Sequence, residues 1–81
     1  MKVEVRFFAS LVELTGRASD TVEVGTGADV SAVWSALVQR HPGLSALSYR
    51  PLVACDMSYA DWDTPVDGIG EVAFLPPVSG G

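Results

Sequence analysis

The sequence predicts an α+β domain in which one long helix packs across a mixed sheet of about four to five strands. Two observations lead to this fold class. Short runs typical of strands occur near both ends and in the middle of the chain, and one stretch between them has the apolar spacing of an amphipathic helix. One sheet covered by one helix is the simplest way to bury both apolar faces. We expect a domain over residues 1–75 and a protruding tail over residues 76–81.

The first predicted strand covers residues 2–8, where polar and apolar residues alternate. Phe8 breaks the alternation and opens the next element. Leucines one helical turn apart predict a short helix or helical turn over residues 9–15, and Gly16 is suited to end it in a left-handed conformation. Residues 21–24 alternate again and predict a second strand, antiparallel to the first because the connection is short.

The main helix is predicted over residues 30–41. Asp29 precedes it as an N-cap, and Pro42-Gly43 ends it. Its apolar stripe consists of Val30, Val33, Trp34, Leu37 and Val38. We interpret Trp34 as a core anchor rather than a cofactor platform, and His41 as a helix-terminal residue rather than a ligand or base, because no second histidine or cysteine pair accompanies it.

The second half of the chain predicts three more strands. Residues 43–51 are expected to form a connecting loop, and the apolar run 52–55 a strand buried in the middle of the sheet. The acidic stretch 56–67 predicts a hairpin with a short edge strand around residues 59–62. Residues 71–75 predict the last strand, which we expect to insert centrally beside the first.

Composition excludes several classes of function. The net charge of −5 would repel a nucleic-acid backbone or an anionic membrane surface, so neither is an expected partner. Cys55 is the single cysteine, which excludes an internal disulfide and a cysteine-built zinc site, and no metal is expected. We interpret Cys55 as a small buried hydrophobic residue. Without an apolar leader or membrane-spanning run, the expected location is the cytoplasm.

The last eight residues, 74–81, are the most informative stretch. Pro76 and Pro77 cannot extend a sheet ladder, so they predict a stiff arm that leaves the fold and reaches roughly 20 Å by Gly81. Gly80 and Gly81 lack a Cβ and could enter a channel too narrow for other residues. We expect the α-carboxyl carbon of Gly81 to be the reacting atom.

These features together resemble the small sulfur-carrier subunit of molybdopterin synthase, a MoaD/ThiS-like member of the ubiquitin-like β-grasp group. The resemblance covers the whole chain. It is carried by Phe7-Phe8-Ala9, by Glu13-Leu14 with Gly16, by Glu71-Val72-Ala73-Phe74 and, most specifically, by Pro76-Pro77-Val78-Ser79-Gly80-Gly81. The chain departs from the family at Val12, where arginine is common, at Asp56, where asparagine is common, and at the displaced turn glycine of Asp67-Gly68-Ile69-Gly70-Glu71.

The resemblance implies a protein cosubstrate that binds no cofactor and is not an enzyme on its own. An E1-like adenylyltransferase would use ATP to adenylate Gly81, and a sulfur donor protein would convert the adenylate to a thiocarboxylate. The tail residues Pro76, Pro77, Val78, Ser79 and Gly80 would thread into each partner. A large subunit, expected in a heterotetramer, would use the sulfur to form the dithiolene of molybdopterin.

The partner surface is expected beside the tail. Side chains alternate along the last strand, so either Phe74 or Leu75 must lie on the face away from the helix. We predict that Leu75 is the partner contact, with Tyr59 and Phe8 as further candidates.

Three other functions remain open from the sequence. The chain could carry sulfur for thiamin or cysteine synthesis, it could be a ubiquitin-like modifier conjugated to lysines through Gly81, or it could be an interaction module with an inert tail.

Overall fold

The computed structural model describes residues 1–77 of the 81-residue chain. It contains five strands, two α-helices and one 3₁₀ helix. In chain order these are β1 (Lys2–Phe7), α1 (Ser10–Thr15), β2 (Ser19–Glu23), α2 (Val30–Arg40), the 3₁₀ helix (Pro42–Ala46), β3 (Leu52–Cys55), β4 (Ser58–Ala60) and β5 (Glu71–Leu75).

The strands form one mixed sheet in the order β2-β1-β5-β3-β4. β1 is antiparallel to β2 and parallel to β5, and β3 is antiparallel to both of its neighbours. The predicted central insertion of the last strand beside the first is therefore confirmed. Phe7 pairs with Phe74, and Leu52 pairs with Leu75, so the C-terminal end of β5 is held between two strands.

The short helix α1 has an unusual start and an ordinary end. Ala9 precedes it with φ 52° and ψ −126°, a backbone conformation that an alanine adopts only under strain. At the other end Gly16 has φ 72°, and its N–H donates to the carbonyl of Val12 at 2.7 Å. The left-handed glycine predicted to stop this helix is confirmed.

The main helix α2 begins at the predicted N-cap. The Asp29 carboxylate accepts hydrogen bonds from the Ser31 hydroxyl at 2.6 Å and the Ala32 N–H at 3.0 Å, and these bonds lower the pKa of Asp29. Of the predicted stripe, Val30, Val33 and Leu37 are fully buried. Trp34 and Val38 are half-buried and pack against the edge of the core.

One face of the sheet and α2 together enclose the core. Phe74 is its largest fully buried side chain, and its ring centroid lies 4.9 Å from that of Trp34 and 5.6 Å from that of Trp62. The interpretation of Trp34 as a core anchor is confirmed, although the ring covers the rim of the core rather than its centre.

Three details differ from the sequence predictions. The predicted loop over residues 43–51 begins with the 3₁₀ helix, because turning there buries Leu44 under α1 and α2. Leu52 and Ala54 of β3 are only half-buried, because α2 covers one face of the sheet alone. The edge strand β4 ends at Ala60, and Trp62 instead donates from Nε1 to the Pro51 carbonyl at 3.2 Å.

Candidate functional site

A groove of about 320 Å³ lies on the sheet face that α2 leaves open. The strands β1, β3, β4 and β5 contribute side chains that alternate with their core residues, since successive residues of a strand point to opposite faces. Its lining residues are Arg6, Phe8, Ala54, Met57, Tyr59, Glu71, Ala73 and Leu75. The residues that β5 turns inward, Val72 and Phe74, are fully buried, so Leu75 lies on the open face.

The groove brings together the three residues predicted as partner contacts. Leu75 is half-buried, Phe8 is 39% exposed and Tyr59 is 74% exposed. The sequence reasoning missed Met57, whose side chain is 94% exposed in the turn between β3 and β4. The sequence could have indicated the exposure of Met57, because an apolar residue in a two-residue hairpin turn has no core to pack against. Contact of these residues with a partner stays a prediction.

Among the described residues that line the groove, the charged ones are Arg6 and Glu71, which form an ion pair. Arg6 Nε lies 3.3 Å from Glu71 Oε2, and both side chains are partly exposed. The remaining lining side chains are apolar or, for Tyr59, aromatic with a hydroxyl. The groove is therefore an apolar surface next to the mutually neutralised Arg6 and Glu71. Such a surface favours contact with a protein over binding of a free ion.

The root of the tail lies at the edge of this groove. β5 ends at Leu75, Pro76 is half-buried and Pro77 is exposed. Because β5 is bonded to β1 and β3, the chain leaves the domain from a rigid position. Val78, Ser79, Gly80 and Gly81 lie outside the described residues, so tail threading and the reaction at Gly81 stay predictions.

Asp56 fixes one wall of the groove. Asp56 and Met57 form the β3–β4 turn with φ 49° and 70°, the conformation of a tight two-residue hairpin. Asp56 Oδ1 accepts from the N–H groups of Gly70 at 3.0 Å and Glu71 at 2.9 Å. The carboxylate thereby fastens the hairpin that carries Met57 and Tyr59 to the start of β5.

A second polar cluster lies on the opposite side of the sheet, and the sequence reasoning did not predict it. Asp20 is the one buried charged side chain among residues 1–77. Its Oδ2 lies 2.8 Å from His41 Nε2, and its Oδ1 lies 3.4 Å from Arg40 and 3.7 Å from Arg17. The sequence could have indicated the burial of Asp20, because this residue stands two positions before the buried Val22 and lies on the same face of the strand.

The pKa of Asp20 reflects two opposing effects. Burial would raise it, but the hydrogen bonds with the His41 side chain and the Thr21 N–H and the guanidinium groups of Arg40 and Arg17 outweigh burial and lower it. The cluster joins β2 to the end of α2 and takes no part in the groove. His41 is therefore a helix-terminal residue, as predicted, with Asp20 as its partner.

Cys55 does not have the environment of a reactive thiol. Its side chain is buried, and burial together with the nearby Asp56 charge raises its pKa. The prediction of a small buried hydrophobic residue is confirmed. Across residues 1–77, no group of three His, Cys, Asp or Glu side chains could hold a metal ion. Nor does any helix in this range have the length and apolar character needed to cross a membrane.

Two other cavities are less suited to a function of the tail. The larger, about 510 Å³, is lined by Trp34 of α2 and by Trp62, among other residues, and by no residue of β5. The other, about 350 Å³, adjoins the groove and shares Arg6 and Phe8 with it. We select the groove over the larger cavity because Leu75 connects it directly to the tail.

Comparison with known proteins gives consistent results. The ThiS family matches residues 5–81. The human molybdopterin synthase sulfur carrier subunit is 31% identical, over 99% of this chain and 94% of that protein. The crystal structure of SAMP1 from Haloferax volcanii has a TM-score of 0.86 at 30% identity, with both chains covered completely. A complex of subunits 1 and 2 of the molybdopterin-converting factor from Helicobacter pylori contains a chain with a TM-score of 0.67 at 28% identity, again with full coverage.

Proposed function

This chain belongs to the ThiS family, and from that premise we propose that it is the sulfur-carrying small subunit of a molybdopterin synthase. The observation that supports the proposal is the position of the tail root. Pro76 follows the end of a strand held on both sides, beside an apolar groove lined by Phe8, Tyr59 and Leu75. Full-length similarity to proteins named sulfur carrier subunits supports the same function.

The proposed chemistry takes place at Gly81. A carboxylate resists nucleophilic attack because of its negative charge, so an E1-like enzyme first joins it to AMP from ATP and releases pyrophosphate. A sulfur donor protein then displaces AMP, which leaves a thiocarboxylate. Sulfur is ionised at neutral pH and more nucleophilic than oxygen, so the tail can deliver it to a pterin precursor without releasing free sulfide.

The domain itself contributes binding and positioning. The two charged residues of the groove, Arg6 and Glu71, neutralise each other, so neither is placed as a general base. Acid–base catalysis would come from the partners, which we take to be the activating enzyme and a large subunit in a heterotetramer in the cytoplasm. Because both partners must receive the same tail, we expect both to dock on the same groove, and therefore in turn.

The first test compares two changes at the terminus. Removing Gly81 shifts the reacting carbon by ~3.5 Å, and a displacement of 1 Å can already cost about a hundredfold in rate. Gly81→Ala keeps the length and adds one methyl group. We expect the deletion to be nearly inactive in pyrophosphate exchange with the activating enzyme and in dithiolene formation with the large subunit. We expect Gly81→Ala to retain more activity.

Thermal unfolding of the same preparations is the control, and neither change should alter the melting temperature. If the truncated protein supports normal sulfur transfer, the proposed role of Gly81 is wrong. If the wild-type chain is adenylated normally but forms no dithiolene, its sulfur acceptor would instead belong to thiamin or cysteine synthesis.

A protein-modifier function is the second candidate, because a protein named small archaeal modifier protein 1 shares this fold at 28% identity with a TM-score of 0.82. Intact mass of the chain from its host separates the two. A terminus with one oxygen replaced by sulfur supports the carrier. A ladder of heavier conjugates, abolished by deletion of Gly81, supports the modifier.

A further inference from the structure

The strand β2 is one edge of the sheet that residues 1–77 form. Backbone hydrogen bonds join Phe7 to Ala18 and Met1 to Val24 at the two ends of the β1–β2 pair. In an antiparallel pair, residues whose backbone groups point at the neighbouring strand alternate with residues whose groups point away from it. The residues of β2 whose N–H and carbonyl groups point to the free edge are therefore Ser19, Thr21 and Glu23.

An edge of this kind can take up another strand, because each outward-facing residue offers one donor and one acceptor in the geometry of a sheet. A second copy of this chain fits the pattern by two-fold symmetry. With the two copies antiparallel and centred on Thr21, this residue would pair with its own counterpart, and Ser19 would pair with Glu23 of the other copy. The two Thr21 residues would then exchange a pair of hydrogen bonds at the centre of the dimer.

Both backbone groups of Thr21 are already bonded within the domain. The Thr21 N–H donates to Asp20 Oδ1 at 2.8 Å. The Thr21 carbonyl accepts from Arg40 Nη1 at 2.9 Å, and Nη2 of the same guanidinium lies 3.4 Å from Asp20 Oδ1. One side chain of β2 and one of α2 therefore occupy the donor and the acceptor at the middle of the edge.

The Asp20 side chain is held from the interior of the domain. It is only 3% exposed, and its Oδ2 lies 2.8 Å from Nε2 of His41, the residue that follows α2. The His41 ring packs edge-on against Phe7, with 5.9 Å between the ring centroids. Asp20 cannot turn away from the edge without leaving a buried carboxylate short of partners, which is costly. Arg40 is half-exposed, so it can be replaced without opening the core.

We propose that Asp20 and Arg40 close the β2 edge to strand addition and thereby prevent this chain from pairing with a second copy through β2. An incoming strand must break the two bonds of Thr21 before it makes its own. The outward-facing residues at the ends, Ser19 and Glu23, are roughly 13 Å apart at ~3.3 Å per residue, too far to form a continuous ladder without the middle pair. The inference is independent of the proposed chemistry of the tail.

The test removes the side chain that binds the Thr21 carbonyl. Arg40→Met frees this carbonyl and removes one guanidinium from the surroundings of Asp20. Arg17→Met is the matched control, because Arg17 Nη1 also lies near Asp20 Oδ1, at 3.7 Å, whereas the bond to the Thr21 carbonyl comes from Arg40. Sedimentation equilibrium of both variants and the wild type, as full-length chains over a wide range of concentration, measures self-association. Far-UV circular dichroism confirms that each chain is folded.

We expect the wild type and Arg17→Met to stay monomeric and Arg40→Met to self-associate. In a two-fold dimer each substitution is present twice, so both Thr21 carbonyls become available to the opposite copy. Two additional hydrogen bonds of ordinary strength should raise the association constant of Arg40→Met about tenfold or more above that of Arg17→Met.

Amide hydrogen exchange locates the contact. In Arg40→Met, exchange of the Ser19 and Glu23 N–H groups should slow as the protein concentration rises, while the β2 amides bonded to β1 should not change. The wild type supplies a second measurement that needs no substitution. Its Thr21 N–H, bonded to Asp20, should exchange more slowly than the N–H groups of Ser19 and Glu23 at every concentration.

Three results would overturn the inference. In the first, Arg40→Met associates no more strongly than Arg17→Met. In the second, it associates but the exchange of Ser19 and Glu23 does not depend on concentration, so that the contact lies elsewhere. In the third, the wild-type Thr21 N–H exchanges as fast as its two outward-facing neighbours, so that Asp20 does not close this position.

Discussion

Asp56 and Glu71 are joined by hydrogen bonds in both directions. Asp56 Oδ1 accepts from the Glu71 N–H at 2.9 Å, and the Asp56 N–H donates to the Glu71 carbonyl at 2.9 Å. The turn that carries Met57 is thereby attached to the start of the strand that carries the tail. The departure from the family's common asparagine at this position keeps an oxygen acceptor, which is what this contact requires.

Asp56→Ala should destabilise the fold by about 1 to 3 kcal/mol, because it leaves two backbone donors without their acceptor and places alanine at φ 49°. Asp56→Asn is the matched control. Asparagine tolerates the left-handed region and retains Oδ1, so its cost should be much smaller. Urea unfolding measures both, and equal losses would show that the carboxylate charge rather than its geometry matters.

Ala9→Gly should stabilise the domain by about 1 kcal/mol. Alanine at φ 52° and ψ −126° is strained, and glycine adopts this conformation without a clash, which offsets the larger entropy of its unfolded chain. Ala9→Val should lower stability instead. Guanidinium unfolding of the three proteins gives the order, and a loss of stability in Ala9→Gly would contradict the strained geometry.

Trp34→Ala should cost about 3 kcal/mol, because it removes an aromatic side chain that packs on Phe74 and Trp62 at the rim of the core. Met57→Ala serves as the comparison, since a side chain that is 94% exposed should contribute almost nothing to stability. Thermal unfolding is the measurement. An unchanged melting temperature for Trp34→Ala would place the core elsewhere.

Asp20 should give the fold an acid-dependent stability. Its pKa is lowered below the ordinary 3.8 in the folded state. The contribution of Asp20 to the free energy of unfolding is therefore fully present when the pH lies above the pKa of the unfolded state. It is lost as pH falls through 3.8 towards the folded pKa. Asp20→Asn should lower the free energy of unfolding by about 2 kcal/mol at neutral pH, and the variant should lose less stability than the wild type as the pH falls. Asp63→Asn, which removes an exposed carboxylate, should leave the pH profile of urea unfolding unchanged.

Tyr59→Ala should weaken binding to each of the two proposed partners, the large subunit and the activating enzyme, by roughly tenfold, because an exposed aromatic ring in an apolar groove is a typical binding anchor. Stability should be unaffected. Gln39→Ala, an exposed change on α2 and away from the groove, is the control. Titration calorimetry gives both affinities, and a selective loss for one partner would show that the two do not share the groove.

Local patterns in the sequence were sufficient to predict most elements of the fold. Alternation predicted β1, helical spacing with the Asp29 cap predicted α2, and the Gly16 stop ended α1 where expected. Such patterns can be read locally because side-chain periodicity and backbone preferences depend on residues a few positions apart. The central insertion of β5 beside β1 was also predicted, and the strand order confirms it.

The structure alone decided the contacts between distant residues. Asp20 with His41 and Asp56 with Glu71 are separated by 21 and 15 positions, and no periodic signal links them. The same holds for the groove, where Phe8, Met57, Tyr59 and Leu75 come from different strands and turns. Strand order and register determine which of these side chains meet, because both depend on burial of the whole core and not on any single segment.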